Sequence, residues 1–170
     1  MKEIKATEIK ENLLKLICKD WMLVTAGTKD DFNTMTANWG FIGELWFKDM
    51  VEVFIRQQRY TKEFVDREKY FTLSFFPAEY KKILSVLGTK SGRDMDKMHE
   101  SGLTPIQLES GQIAFSEAKL VIECRVVYSD ILNESNFIDH SVFEQAYANP
   151  KIPGGIHTRY YAEITKVYEN

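Results

Sequence analysis

Between residues 21 and 76 four β-patterned segments follow one another with a single short helical stretch among them, and this order constrains the fold most. Residues 21–25 are apolar and β-branched, and Gly27 stands where such a strand ends. Residues 34–39 read as the next strand, with Gly40 and Gly43 loosening the chain after it. Val51, Val53 and Ile55 alternate with Glu52, Phe54 and Arg56, the period-two pattern of a half-buried strand. Thr61 stands where it can cap a short helix carrying Phe64 and Val65, and residues 71–76 form a further strand. A doubly wound parallel sheet needs a long helix between successive strands, so the order of segments argues against that class. Closing an antiparallel sheet removes its exposed edges, so the pattern predicts a mainly β fold: a closed or nearly closed antiparallel barrel decorated by short helices.

The flanking segments fit that plan. Residues 7–18 carry Ile9, Leu13, Leu14 and Ile17 at helical spacing behind a cap at Thr7. Pro77 and Gly88 bracket a helix containing Tyr80, Leu84 and Leu87. Residues 112–115, 119–128 and 160–167 read as strands, and Ser141-Val142-Phe143-Glu144 matches a capping box opening a short helix. The expectation is six or seven strands and three or four helices in one domain, residues 1–170. A chain of this length buries about 70% of its unfolded surface and needs neither disulfide nor metal.

Twenty-two basic against 25 acidic residues give a formal charge of −3, which argues against a general nucleic-acid or membrane-surface binder. Residues 48–69 hold six basic and five acidic side chains, so no positive stripe survives there. Residues 80–97 differ: Lys81, Lys82, Lys90, Arg93 and Lys97 face only Asp94 and Asp96, a local excess that suits a phosphate-bearing small molecule. Met1-Lys2-Glu3-Ile4-Lys5 lacks the apolar core of a signal peptide, and no apolar run approaches the ~20 residues of a membrane span, so a cytoplasmic protein is expected. Cys18 and Cys124 lie far apart. Cys124 falls in phase with Leu120, Ile122, Val126 and Tyr128, as a small buried hydrophobe would. His99, His140 and His157 do not cluster, and no metal-ligand set is expected.

The nine glycines contain neither a dinucleotide-binding G-x-G-x-x-G nor a P-loop. Two other groups carry the candidate chemistry. Met35, Thr36, Ala37, Asn38 and Trp39 end one strand; Arg56, Arg59, Tyr60 and Thr61 follow the next. An anionic ligand with a flat, polar-edged ring needs such a set. Arginine offers a planar, permanently charged fork for phosphate, and a helix start at Thr61 adds backbone N–H groups. The loop Lys90-Ser91-Gly92-Arg93-Asp94-Met95-Asp96-Lys97 adds mobile positive charge. The chain offers no convincing Ser-His-Asp or Cys-His arrangement.

In order and spacing, Met35-Thr36-Ala37-Asn38-Trp39-Gly40, the pair Arg56 and Arg59 with Tyr60-Thr61, residues 90–97, and His157 ahead of Tyr161-Ala162-Glu163-Ile164 resemble the flavin reductase-like family of FMN-binding split barrels, flavoredoxin-like branch. The resemblance runs from about Trp21 to the C-terminal strand. It implies a split β-barrel with Greek-key connections, FMN as cofactor, NADH or NADPH as electron donor, and a homodimer with flavin near the subunit interface. It implies that Met35, Thr36, Ala37, Asn38 and Trp39 meet the isoalloxazine ring, and that Arg56, Arg59, Tyr60 and Thr61 meet the phosphate. Lys90, Ser91, Gly92, Arg93 and Lys97 would form a cationic flap over the phosphate and ribityl chain. His157, in the loop Gly154-Gly155-Ile156-His157, would touch the nicotinamide or second substrate. Catalysis would belong to the flavin, with no protein nucleophile required. Two other readings stay open: a flavin-binding electron carrier without direct nicotinamide turnover, and a split barrel binding another phosphate-bearing ligand or none.

Overall fold

The computed structural model of the protein describes residues 1–148 and 155–170. Its strands are β1 (Lys2–Ile4), β2 (Met22–Thr28), β3 (Asp31–Ala37), β4 (Gly40–Leu45), β5 (Lys48–Arg56), β6 (Tyr70–Phe75), β7 (Pro105–Gln107), β8 (Ile113–Phe115), β9 (Leu120–Ile131) and β10 (His157–Glu169). The helices are α1 (Leu13–Lys15), continued by a π-helical turn (Leu16–Asp20), then α2 (Tyr60–Glu68), α3 (Lys81–Thr89), α4 (Lys97–Ser101) and α5 (His140–Tyr147). Eight strands form one antiparallel sheet in the order β3-β2-β6-β9-β10-β5-β4, with β1 on the end of β10; β7 and β8 form a separate ribbon. The sheet does not close, because the hydrogen-bonded path ends at β3 on one side and β4 on the other. Helices α2 and α3 pack against β3 and cover the edge that closure would have removed.

Period-two alternation sends side chains into two cores. Val24, Met35, Val53, Ile55, Phe71, Leu73, Ile122 and Cys124 fill the first. Leu23, Phe76, Leu84, Leu87, Phe115 and Val121 fill the second, between the sheet, α3 and the β7–β8 ribbon. Cys124 is fully buried, and that burial pushes its thiol well above the usual range.

Several local expectations need correction. The N-terminal helix does not start at Thr7: a 3-10 turn (Ala6–Glu8) comes first, and Asn12 caps α1 by accepting from the Lys15 N–H at 3.0 Å. Gly27 does not end β2. It continues the strand at φ +121°, where a Cβ would lie 2.3 Å from the Asp31 carbonyl oxygen. Gly40 begins a strand, β4, instead of loosening the chain. Thr61 caps nothing; it sits inside α2, buried, accepting from Asn33 Nδ2 at 2.7 Å. Ser141 is not the cap of α5, because Asp139 accepts from the Ser141 N–H at 3.0 Å and fills that role. Gly88 lies within the last turn of α3, which runs through Thr89.

Candidate functional site

The ends of β3, β5 and β10 converge. Antiparallel pairing of β10 with β5 sets His157 directly opposite Arg56. A cavity of about 210 Å³ opens there, lined by Met35, Thr36, Ala37, Asn38, Trp39, Phe54, Arg56, Arg59 and His157. Phe54 is the lining residue that sequence reading missed. It shares the strand phase of Arg56, two residues on, and that period was the available signal. Next to this polar chamber lies an apolar one of about 430 Å³, bounded by Leu13, Ile17, Phe41, Ile42 and Leu132. Asn38, Trp39 and Phe54 belong to both walls, so the two chambers adjoin.

Three cations stand at or beside the polar chamber. Arg59 Nη1 donates to the Gly88 carbonyl at 2.6 Å, and burial, then the charge of Arg56, lowers its pKa. Arg56 donates to the carbonyls of Gly155 at 3.0 Å and Ala146 at 3.2 Å, with its guanidinium 5.4 Å from the Tyr147 ring centre. Lys97 is 7% exposed and donates to the carbonyls of Thr34 at 2.6 Å and Leu87 at 2.9 Å. Burial, then the charge of Arg59, pushes Lys97 down to about 8. Among the described residues none of the three forms an ion pair with a carboxylate; their partners are main-chain carbonyls. Desolvated cations without a counter-charge are costly, and an anion is what relieves them.

His157 does not sit in a solvated loop. It opens β10, 7% exposed, with Nδ1 2.9 Å from the Tyr147 hydroxyl oxygen. Its ring packs 5.0 Å from Trp39 and 6.4 Å from Phe54, centre to centre. Burial, then Arg56 and Arg59, pushes its pKa down to about 4, so the imidazole is neutral at pH 7. Gly154, the first residue of the expected loop, lies outside the described residues. Trp39 is 43% exposed and forms part of the rim rather than of either core. Thr36 lines the chamber while its hydroxyl donates to the Leu84 carbonyl, which ties β3 to α3.

The remaining expected residues lie elsewhere. Tyr60, Thr61, Ser91, Gly92 and Arg93 do not line the polar chamber. Arg93 lies 4.4 Å over the Tyr60 ring and pairs with Glu63, while its backbone N–H donates to Ser91 Oγ at 3.1 Å. A Cβ on Gly92 would meet Asn33 Oδ1 at 2.1 Å, so glycine permits this close approach to β3. Lys90 caps the C-terminus of α3, exposed. Lys97 is the residue whose setting differs most from the expected flap: it starts α4, capped by Asp96, and its ammonium points under β3. The segment 90–97 thus packs beside α2, and Lys97 alone reaches back toward Arg59.

The family model described as "Flavin reductase like domain" matches residues 14–170. The chain belongs to the flavin reductase-like family. Flavoredoxin of Desulfovibrio vulgaris (Miyazaki F) is 23% identical over 88% of this chain and 69% of its own, with a TM-score of 0.66. An FMN-binding protein from Thermus thermophilus, solved with bound p-hydroxybenzaldehyde, is 18% identical over 100% of this chain and 82% of its own, TM-score 0.67. An NADH:FAD oxidoreductase from Streptomyces globisporus, solved with NAD and FAD fragments, is 16% identical over 89% and 74%, TM-score 0.63. These likenesses establish the fold, a split barrel of mainly antiparallel strands with short helices. A search of curated proteins finds no match. The family is one of flavin-binding oxidoreductases.

Proposed function

We propose that this member binds FMN and passes electrons from NADH or NADPH, through the flavin, to an acceptor. The observation that carries the reading is the set of half-buried Arg56 with the desolvated Arg59 and Lys97, none paired with a carboxylate among the described residues, beside a polar strand end that adjoins an apolar chamber. Arg56 and Arg59 would hold the phosphate, exchanging neutral carbonyl acceptors for a charged one, a hydrogen bond roughly twice as strong. The backbone and amide groups of residues 36–39 would answer the carbonyl and N–H edge of the ring, and Ala37 lets the backbone approach closely. Trp39 and Phe54 would wall the ring from water. Bound FMN supplies the hydride-accepting ring, and the protein supplies binding, orientation and charge. His157 would hold Tyr147 and Trp39 in place and, being neutral, add no positive charge beside a nicotinamide. The NADH:FAD oxidoreductase and the FMN-binding protein support the nicotinamide and FMN parts of this reading by their fold.

The active form in this reading is a homodimer. Phe41, Trp46 and Phe47 on the β4–β5 hairpin are exposed, Phe47 by 98%, and a second copy would cover them. Among the described residues no helix is long and apolar enough to cross a membrane, and the proposed site of action is the cytoplasm. Titrating the protein with FMN and with riboflavin, followed at the flavin absorption bands, tests the cofactor assignment. FMN is expected to bind at least tenfold more tightly, as a charged hydrogen bond worth about 1.5 to 3 kcal/mol requires. Equal affinities would remove the phosphate from the site.

A further inference from the structure

A separate cavity, of about 530 Å³, lies at the other end of the sheet. It uses the Gly27–Thr28 end of β2, whereas the polar chamber lies beyond the end of β2 that pairs with residues 36 and 37. Its wall contains Glu123, on β9 beneath the β7–β8 ribbon, and Glu123 is 1% exposed. Oε1 of Glu123 accepts from Ser110 Oγ at 2.9 Å and from the Tyr168 hydroxyl at 3.3 Å. Oε2 accepts from no described residue. Nor is it sealed off, because Ser74 Oγ is the only fully enclosed side-chain polar atom without a partner among the described residues. Oε2 is therefore not fully enclosed, and Glu123 belongs to the cavity wall.

No Lys, Arg or His pairs with Glu123 among the described residues. Lys166 lines the same cavity but is held by Glu3 at 3.4 Å and Glu109 at 3.3 Å. Glu68, the other acid on the wall, already accepts from Arg67 Nε at 2.6 Å. A carboxylate this deeply buried is costly unless a cation meets it. A divalent metal is a poor occupant: Ca²⁺ and Mg²⁺ ask for about six or more oxygen ligands and Zn²⁺ for at least about three protein ligands, and no three His, Cys, Asp or Glu residues gather among those described. An organic ammonium fits better: it carries a single charge, donates up to three hydrogen bonds, and can use the hydroxyls of Thr28 and Thr165 as well. Tyr70, 40% exposed, lines the same wall and adds apolar surface for the methylenes next to the charge.

We propose that this cavity is a second binding site, independent of the flavin site, for a small polar primary amine in its ammonium form, anchored on Glu123 Oε2. The test is isothermal titration of the full chain, with FMN present, using ethanolamine as probe and ethylene glycol as its uncharged counterpart. Ethanolamine is expected to bind saturably in the millimolar range and ethylene glycol not to bind. Glu123→Gln keeps an acceptor for Ser110 and Tyr168 but removes the charge, and is expected to weaken ethanolamine binding about tenfold to a hundredfold. Lys166→Gln removes a like charge from the wall and is expected to tighten it, which tests the idea even if the first variant does not fold. Arg59→Ala is expected to leave it unchanged. No saturable binding, equal binding of ethylene glycol, undiminished binding to Glu123→Gln, or weaker binding to Lys166→Gln would each overturn the proposal and leave Glu123 as a structural acceptor for the ribbon.

Discussion

Replacing Arg59 by Ala is expected to weaken FMN binding about tenfold to a hundredfold while leaving riboflavin binding within about twofold. Arg59 lines the polar chamber, and its charge meets no carboxylate among the described residues; its guanidinium donates to the Gly88 carbonyl at 2.6 Å. A phosphate there would gain a charge-assisted bond of about 1.5 to 3 kcal/mol, and every 1.4 kcal/mol is about a factor of ten in affinity. The substitution also strands the Gly88 carbonyl, so some stability is lost, about 1 kcal/mol. Part of that loss is offset, because Arg59 depresses the pKa of nearby Lys97, and this repulsion disappears with it. Lys82→Ala is the control: Lys82 lies on the exposed side of α3 and is expected to leave FMN affinity unchanged. Quenching of flavin fluorescence on titration gives both affinities directly. Equal weakening of FMN and riboflavin would mean that Arg59 shapes the site without touching phosphate. No change beyond about twofold in either would move the site elsewhere.

Three further outcomes follow from the same geometry. His157 has a folded pKa of about 4, below its ordinary 6.5, so the unfolded chain takes up its proton first. Its contribution to stability is full above pH 6.5 and is lost as pH falls toward 4; urea melts of His157→Gln are expected to show a shallower loss across that window, and identical profiles would refute the shift. Gly27→Ala puts a side chain at φ +121° against the Asp31 carbonyl and is expected to cost more than about 1 kcal/mol in the same melts, whereas Gly43→Ala, with open space around it, is expected to cost less. If FMN contacts both chains of a homodimer, it must favour the dimer by the coupling energy it gains. Sedimentation at matched concentrations is then expected to show more dimer with FMN than without, and a monomer saturated with FMN would refute that model.

The sheet was readable wherever alternation was clean. Val51, Val53 and Ile55 announce β5, and the apolar run at residues 71–76 announces β6, since each such segment buries at least one face whatever its partners. β4 was hidden because its turn breaks the usual chemistry. Trp46 and Phe47 both take positive φ, 56° and 61°, with no Gly, Asn or Asp to signal a hairpin. β1 and β7 are three residues each, too short for any period to register. The chamber lining at residues 35–39, Arg56 and Arg59 was visible as a polar cluster at strand ends, whereas Phe54 and Tyr147 come into place only through strand phase and the packing of α5. Thr61 and Lys97 carry the opposite lesson. A hydroxyl at a helix start and a lysine in a charged loop both look solvent-facing, yet tertiary partners, Asn33 for one and two carbonyls for the other, draw them inside.

An anaerobic titration of the FMN-loaded protein with NADH and, separately, NADPH tests the proposed electron path most directly. Bleaching of the flavin bands by at least one nicotinamide, with no partner protein present, is the expected result. Flavin that binds but keeps its oxidised spectrum with both nicotinamides would contradict nicotinamide-dependent turnover and leave a flavin-binding electron carrier in its place.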